Sequence, residues 1–525
     1  MADKKISELT EKTVPVADDL LLLVDTEDTP NTNKKIKWSN IAKGRTATYV
    51  VAASDAPAHV KAQADYVCDG TADNVEIQAA IDALPVIGGT VQLSQGTFTA
   101  AAQISLKKLC SLIGSGGGRA TTIILADNVN DDVLSYIQTD SASSFVYIGY
   151  LTIYGNKANQ TSGNGILIDW DGTNTVKDVE IDRVYVNGAD DDGIKVDNSA
   201  WGIHIHDCNS ESCDVNAYYL KGNQSYIHDC YASESYYGFR IVNINMFMNN
   251  CYALNSTDYD FYFQGCNQVK ASNCKAFSAA GNSGGFYIRD TVYSSFVNIE
   301  SHGKTGAGVD IRNSSNNLLS NVIVQGNSGT YDSGIKTRDT AINNIVNSLN
   351  ISDCTVGILE QGSSNNNSFI NGYIDTATVA TPATIIGAKS YVNGISSYIS
   401  RGEIRTISGT IATLTENAFN SLDNPFGQVV RVLALDVYVS TAATATTPNI
   451  DCGIGASATT DYATLFDDLT GETVGFYTST IAALGTQTAP QLWDSGSGNR
   501  YLNMSIKGAA ATGMVATYVV TVMGI

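Results

Sequence analysis

A short pattern governs the middle of this chain: one small residue, then apolar and polar positions in alternation. It reads Gly165-Ile-Leu-Ile, Gly193-Ile-Lys-Val, Ala217-Tyr-Tyr-Leu, Gly238-Phe-Arg-Ile, Asp260-Phe-Tyr-Phe, Gly285-Phe-Tyr-Ile, Gly308-Val-Asp-Ile, Gly334-Ile-Lys-Thr and Gly357-Ile-Leu-Glu. Alternation with period two marks a strand with one face buried. The motif returns every 21 to 28 residues with no helical stretch between its copies, as stacked coils of a β-solenoid require. Leucine-rich repeats are excluded by the missing Leu-x-x-Leu-x-Leu pattern, and propellers by the period.

Each coil carries a second strand. Ile203-x-Ile205-x-x-Cys208, Tyr226-Ile227-x-x-Cys230 and Val269-x-Ala271-x-x-Cys274 share one register. In that register Val184, Cys208, Cys230, Cys251, Cys274, Ile299 and Val322 form an inward file. The file before it, Asp207, Asp229, Asn250, Asn273, Asn298 and Asn321, suits a turn whose side chains bond nearby backbone and tolerate left-handed geometry. The recurring cysteines read as buried thiols acting as small apolar residues. No Cys-x-x-Cys pair occurs among the 10 cysteines, which argues against a zinc ribbon.

A solenoid needs its open end covered. Asp73–Leu84 reads as a covering helix, with Asp73 as N-cap, Glu76 completing a capping box, and Val75, Ile77, Ala80, Ile81 and Leu84 as its apolar stripe. Gly88-Gly89-Thr-Val-Gln-Leu-Ser-Gln-Gly-Thr-Phe98 then opens the first coil. Residues 1–45 form a separate small β-unit with a short helical end, built on Lys5–Leu9, Asp18–Val24 and Asn33–Ile41. The coil period fades near Ile404. Beyond it Val429–Val439, Tyr501–Ile506 and Met514–Met523 are strand candidates of a β-sandwich of jelly-roll type.

Composition agrees with many short strands and tight turns. Charged residues make up 16% of the chain, with 47 glycines and only 8 prolines, so a proline-rich disordered chain is excluded. The net charge of −21 repels nucleic acid and anionic membranes. Met1-Ala2-Asp3-Lys4-Lys5 leads into polar residues, and the apolar run Leu20–Val24 is far too short to span a bilayer. Synthesis in a cytoplasm is expected, with no membrane insertion and no nucleic-acid partner.

The stretch Asp69-Gly-Thr-Ala-Asp-Asn-Val-Glu-Ile-Gln-Ala-Ala-Ile-Asp-Ala-Leu84, followed by Gly-Gly-Thr-Val-Gln-Leu and Gly-Thr-Phe, resembles the opening of pectate-lyase-like β-helix proteins. Phage tailspikes are a large branch of these. The resemblance covers roughly residues 48–400. It implies an all-β fold: a right-handed parallel β-helix over 46–403 that binds and cleaves glycan, between an N-terminal adaptor (1–45) and a C-terminal sandwich (404–525) for trimerisation or sugar binding. The first segment is similar to the adaptor that plugs phage fibres and spikes into the virion. The resemblance also implies a homotrimer in the phage tail, assembled in the host cytoplasm, whose partners are a tail or baseplate protein and a bacterial capsule or O-chain. Endo-glycoside hydrolysis without a cofactor is the leading expectation. The alternatives are a spike that binds without cutting, and a lyase acting on uronic acids.

Counted from the first residue of each motif, positions 0, +2 and +4 are expected to face outward. The +2 file reads Leu167, Lys195, Tyr219, Arg240, Tyr262, Tyr287, Asp310, Lys336 and Leu359, and the +4 file includes Lys221, Arg289, Arg312 and Arg338. Tyrosines offer flat apolar faces with a hydrogen-bonding tip, suited to sugar rings, and the cations suit an acidic polysaccharide. A solvated face with charges paired along the ladder is the plainer alternative. Lys195, Tyr219, Tyr236, Arg240, Tyr262, Tyr287 and Arg289 are the candidate binding residues. Hydrolysis needs two carboxyl groups, one acid and one base or nucleophile. Glu234, Asp258 and Asp260 are the candidates, with Asp214 in reserve. The latter two of the leading trio are expected to share one strand face, with Glu234 one coil away. Asp190-Asp191-Asp192-Gly193 is similar to a polygalacturonase motif whose other parts are missing from this chain, so Asp192 is an outside candidate. Trp493, Tyr477 and Tyr501 suit sugar stacking or a core. His204, His206 and His228 would share an outer face able to hold a transition metal. Ordinary surface histidines are the simpler reading, and no metal is expected.

Overall fold

The computed structural model describes residues 48–395 apart from short loops (117–118, 142–143, 243–244, 279–283, 304, 327–332, 376 and 388), together with the strands of the two terminal segments. Residues Met1–Thr48 form one unit and Tyr49–Ile525 another. In the first, strands Leu20–Asp25 and Thr32–Lys37 pair antiparallel, with Leu22 opposite Lys35. The helical end expected near Trp38–Ile41 lies outside the described residues.

From Tyr49 to Ile395 the chain winds as a parallel β-helix of about 12 coils. Each strand pairs in parallel with its counterpart one coil before and one coil after. The repeat therefore becomes spatial adjacency. Ile166, Ile194, Tyr218, Phe239, Phe261, Phe286, Val309, Ile335 and Ile358 form one interior file. Within it Tyr218, Phe239, Phe261 and Phe286 stack at centroid separations of 4.7, 5.1 and 4.7 Å, each pair adding about 1 kcal/mol beyond area burial.

The corners are set by residues that accept positive φ. Asp207, Asp229, Asn250, Asn273, Asn298 and Asn321 all lie between 51° and 55°, a region that Asn and Asp visit more readily than other side chains. Asn298 and Asn321 donate their side-chain amides to Asn273 and Asn298, both at 2.9 Å. The next file, Cys208, Cys230, Cys251 and Cys274, is buried and unbonded covalently. No disulfide occurs among the described residues.

A second asparagine file is buried. Asn317 Nδ2 donates to Asn344 Oδ1 and Asn344 Nδ2 to Asn367 Oδ1, each at 3.0 Å. Asn367 Nδ2 donates in turn to Glu360 Oε1 at 3.0 Å. Glu360, itself buried, also accepts from Ser390 Oγ at 2.7 Å and from the backbone of Ile386 and Gly387. Fully partnered polar files of this kind meet the requirement that buried polar groups be hydrogen-bonded.

The covering helix spans Asn74–Asp82 and buries Ile77, Ala80 and Ile81. Two details differ from the sequence expectation. Val75 is 58% exposed, outside the stripe. The Asp73 side chain makes no cap bond to the helix; its carboxylate accepts from Gly70 N at 2.8 Å and Thr99 N at 2.7 Å, tying the helix entrance to the first coils. In the C-terminal segment Ile404–Ile411, Val515–Gly524, Val430–Thr441 and Gly475–Thr480 run side by side antiparallel, with Leu492–Trp493 also on Val430–Thr441. Phe419–Asp423, Tyr501–Lys507, Asn449–Gly455 and Phe466–Thr470 form a second antiparallel sheet. The side chains of Trp493, Tyr477 and Tyr501 lie outside the described residues.

Candidate functional site

The +2 residues form a continuous ladder. Lys195 pairs with Tyr219, Tyr219 with Arg240, Arg240 with Tyr262, Tyr262 with Tyr287, Tyr287 with Asp310, and Asp310 with Lys336. Beside it Arg289, Arg312 and Arg338 are in register. This surface is more tightly packed than a row of free side chains. Tyr262 and Tyr287 are 7% and 5% exposed, because Tyr237 and Tyr259, one position before each motif, fold over them. The Tyr237 ring lies 5.0 Å from Tyr262, and Tyr259 stacks on Tyr287 at 4.7 Å. Arg240 sits among three rings, 5.5 Å from Tyr219 and 5.6 Å from both Tyr237 and Tyr262. A guanidinium so placed is held by the ring quadrupoles and leaves its charge directed at the same surface.

Ion pairing trims the basic strip. Arg338 binds Asp310 bidentately, Arg312 binds Asp339, and Arg289 binds Asp290. Lys195 and Lys221 approach Asp197 at 4.0 and 3.6 Å. Opposite charges are thus paired along part of the ladder, as the plainer alternative requires, and the aromatic core of the site is the stronger feature.

The carboxylate candidates separate. Asp260 is fully buried, with Oδ1 accepting from Ser256 N at 3.2 Å; the outward orientation expected at position 0 is corrected. That position faces the coil interior. A Cβ added to Gly165 would meet Val186 at 2.4 Å, and one on Gly308 would meet Val324 at 2.3 Å. Asp260 is accommodated because the file opposite narrows to Ala253 and Ala276 in these coils, where later coils carry Ser301 and Val324. The expected pairing of Asp258 and Asp260 on one face therefore fails. Asp258 stays at the rim of the aromatic cluster. Burial, and next to it the Asp258 carboxylate, push the Tyr237 phenol well above its usual value. Glu234 is exposed at a corner with φ 52°, between Ser212 at 58° and Asn255 at 55° on the neighbouring coils, and accepts from Ser212 Oγ at 3.3 Å. Asp214 is taken up by Lys157 at 2.8 Å. Tyr236, 44% exposed, packs edge-on against Tyr237 at 4.8 Å.

Three residues of the cluster were not singled out from sequence: Tyr237, Tyr259 and Asp310 as an acidic group. The signal was present, since the position before the small residue runs Asn164, Asp192, Asn216, Tyr237, Tyr259. Tyr259 donates its hydroxyl to Asp310 Oδ2 at 3.4 Å. Its phenol is raised first by burial, then by Asp310 and Asp258, so both carboxylates act on one hydroxyl. Asp310 is itself raised by burial, against the pull of Arg338. Asp192 is buried, accepts from Asn216, and is raised by burial above all. Together the groups present protonated phenols, a desolvated carboxyl and an arginine on one surface. Such a surface can hydrogen-bond and stack on a sugar ring and supply a proton.

Of the side-chain groups able to hold a metal, Cys68, Asp73 and Glu76 lie by the covering helix, where burial raises the Cys68 thiol and keeps it protonated. Glu180, His204 and His206 form another group, on the paired strands Val176–Asp182 and Ile194–His206.

No family model matches the sequence, and no curated protein matches it. Solved structures do match. The A-module of mannuronan C-5 epimerase AlgE4 from Azotobacter vinelandii is 21% identical, with a TM-score of 0.54 over 62% of this chain and 97% of that one. The AlgE6 A-module of the same organism is 20% identical with a TM-score of 0.48, over 62% and 95% of the two chains. Tailspike protein 2 of bacteriophage CBA120 is 12% identical with a TM-score of 0.45, over 85% and 76%. The AlgE4 match defines the fold class, a parallel β-helix, in agreement with the repeat.

Proposed function

We propose that this chain is a phage tailspike whose β-helix holds an acidic bacterial surface polysaccharide, capsule or O-chain, along the Tyr219–Arg338 ladder and cuts it by endo-glycoside hydrolysis. The observation that carries this reading is Arg240 seated among Tyr219, Tyr237 and Tyr262, in register with Lys195 on one side and Tyr287 on the other. The half-buried outer rings Tyr219, Tyr237 and Tyr259, flanked by cations along consecutive coils, suit successive rings of an anionic glycan. Asp258 serves as a carboxylate of the reaction, and the Tyr237 and Tyr259 phenols, held protonated, spend their hydrogens on Asp258 and Asp310 and so fix both carboxylates beneath the glycan. A lyase with tyrosine as base is disfavoured, because burial and adjacent carboxylates oppose ionisation of these phenols. In this reading residues 1–45 join the spike to the phage tail, the C-terminal sheets support a homotrimer, and no cofactor takes part.

Incubating the full chain with a panel of purified capsular and O-chain polysaccharides, and sizing the products, tests the proposal. New reducing ends support hydrolysis. Products absorbing in the ultraviolet as unsaturated uronates would move it to a lyase, and tight binding with no cleavage to an adhesin.

A further inference from the structure

Sequence alone favours ordinary surface histidines at 204, 206 and 228; the hydrogen-bond geometry around them points elsewhere. Strand Ile194–His206 shifts register between Val196 and Ala200; its first half carries Lys195 of the glycan ladder and its second half pairs with Val176–Asp182 and Ser225–His228. There Glu180 is opposite His204, and His206 is opposite both Asp182 and His228. Four side chains from three successive coils thus share one outer face, on strands about 4.8 Å apart.

The protons on these rings can be counted. His228 Nδ1 lies 2.7 Å from Asp229 Oδ2, and His206 Nδ1 lies 3.0 Å from Asp207 Oδ2 and 3.3 Å from Asp182 Oδ1. An ionised carboxylate only accepts, so each Nδ1 carries the hydrogen and each Nε2 of a neutral ring presents its lone pair. The lone pair of His206 Nε2 then points at Glu180 Oε1, 3.1 Å away, and that of His228 Nε2 at His204 Nε2, 2.9 Å away. Between Glu180 and His206 acceptor faces acceptor, so a cation must sit there, an added proton or a metal; between His204 and His228 the hydrogen of a His204 Nε2–H tautomer fills the contact, and a metal would replace it. A histidine whose Nδ1–H is held by a carboxylate while Nε2 faces a second ligand is the arrangement metal sites use to fix the tautomer. In this chain His206 and His228 are both held so, by Asp207 and Asp229, on rings stacked 5.1 Å apart with planes 8° from parallel.

The spacing agrees. Ligand atoms of Glu180, His204 and His206 lie within 4.8 Å of one another. Tetrahedral zinc, with bonds of about 2.0–2.1 Å, separates its ligands by about 3.3–3.4 Å, so the side chains, the stacked His206 and His228 rings among them, rotate to close on a metal. Access is open, because Glu180 and His204 line a surface depression with Phe145, Tyr147 and Gly202.

We infer that Glu180, His204, His206 and His228 bind one divalent first-row transition metal, of which zinc is the type for imidazole and carboxylate ligands, and that the metal staples three coils of the solenoid together. The glycan proposal is independent of this site.

The test uses the full chain stripped with a chelator and then titrated with Zn2+ against a chromophoric competitor. One equivalent per chain, a raised melting temperature and visible d–d bands on Co2+ substitution are expected. His204→Ala/His228→Ala should abolish stoichiometric binding. Glu180→Gln, at a side chain 46% exposed and so tolerated by the fold, should weaken binding at least tenfold. Asp207→Asn should weaken it by about 10–100-fold through the His206 ring. Absence of Zn2+ binding by the wild type would overturn the inference, as would full retention of one equivalent, at unchanged affinity, by the folded Glu180→Gln and His204→Ala/His228→Ala variants.

Discussion

Arg338 grips Asp310 with two parallel hydrogen bonds, Nε to Oδ1 at 3.0 Å and Nη2 to Oδ2 at 2.8 Å. The carboxylate side chain is 4% exposed and the guanidinium 27%, so removing one partner strands a charge in a dry site. Arg338→Ala should cost roughly 3 kcal/mol of stability, and Arg338→Ala/Asp310→Asn should cost less than the sum of the two single changes. Chemical denaturation of the four proteins in a double-mutant cycle measures this.

Asp258 and Asp260 offer a sharp contrast, one at the rim of the tyrosine cluster and one inside the coil. Asp258→Asn should lower the rate of glycan cleavage about a hundredfold or more while leaving the melting temperature almost unchanged. Asp260→Asn should shift the melting temperature and leave the rate within a few-fold. The reverse pattern would remove Asp258 from the reaction.

Arg240 links three rings to the glycan surface. Arg240→Ala should weaken binding of a cleaved or bound polysaccharide by roughly tenfold, the equivalent of about 1.4 kcal/mol. Arg240→Lys should recover only part of it, since an ammonium lacks the planar stack. Equilibrium binding with a catalytically silenced protein is the measurement.

Burial raises Asp192, which fixes the sign of its pH dependence. A carboxyl whose folded pKa lies above its unfolded one contributes stability that is complete below the ordinary aspartate value and is lost as pH rises through the folded value. Asp192→Asn keeps an acceptor for Asn216 and removes that loss. The variant should gain on the wild type in melting temperature at about pH 8, and the gain should vanish near about pH 3.

The thiols should be silent. Burial pushes Cys110 and Cys354 up to about 12, and Cys208, Cys230, Cys251 and Cys274 lie within the stack. A thiol reagent should modify none of the nine described cysteines in the native protein and all of them in denaturant.

The files of this solenoid were legible because a repeat of coils turns sequence period into vertical neighbours; Tyr219, Arg240, Tyr262 and Tyr287 needed only counting. The facing of the first motif residue was not legible. Alternation presumes a straight strand, and the motif begins at a corner where two successive residues, such as Asp260 and Phe261, both face inward. Asp260 occupied a file otherwise made of Gly and Ala, which was the available warning. Tyr237 and Tyr259 escaped because they precede the residue from which the motif was counted. Diagonal contacts, such as Arg338 with Asp310 or His204 with His228, depend on side-chain rotamers that no period encodes.

The buried file Asn317, Asn344, Asn367 has a direction: one amide hydrogen of Asn317 and of Asn344 points to the side-chain oxygen on the next coil while the other returns to a backbone carbonyl of the coil before, and the last asparagine gives a hydrogen to Glu360. Such a row has a polarity, with a terminus that only an acceptor can occupy. A duplicated coil inserted between Asn317 and Asn344 would bring its own donor and acceptor and leave every neighbour satisfied. Cutting the rod back at the Glu360 coil would leave a hydrogen with nowhere to go. Lengthening by whole coils is therefore permitted within the row, and the end piece is fixed.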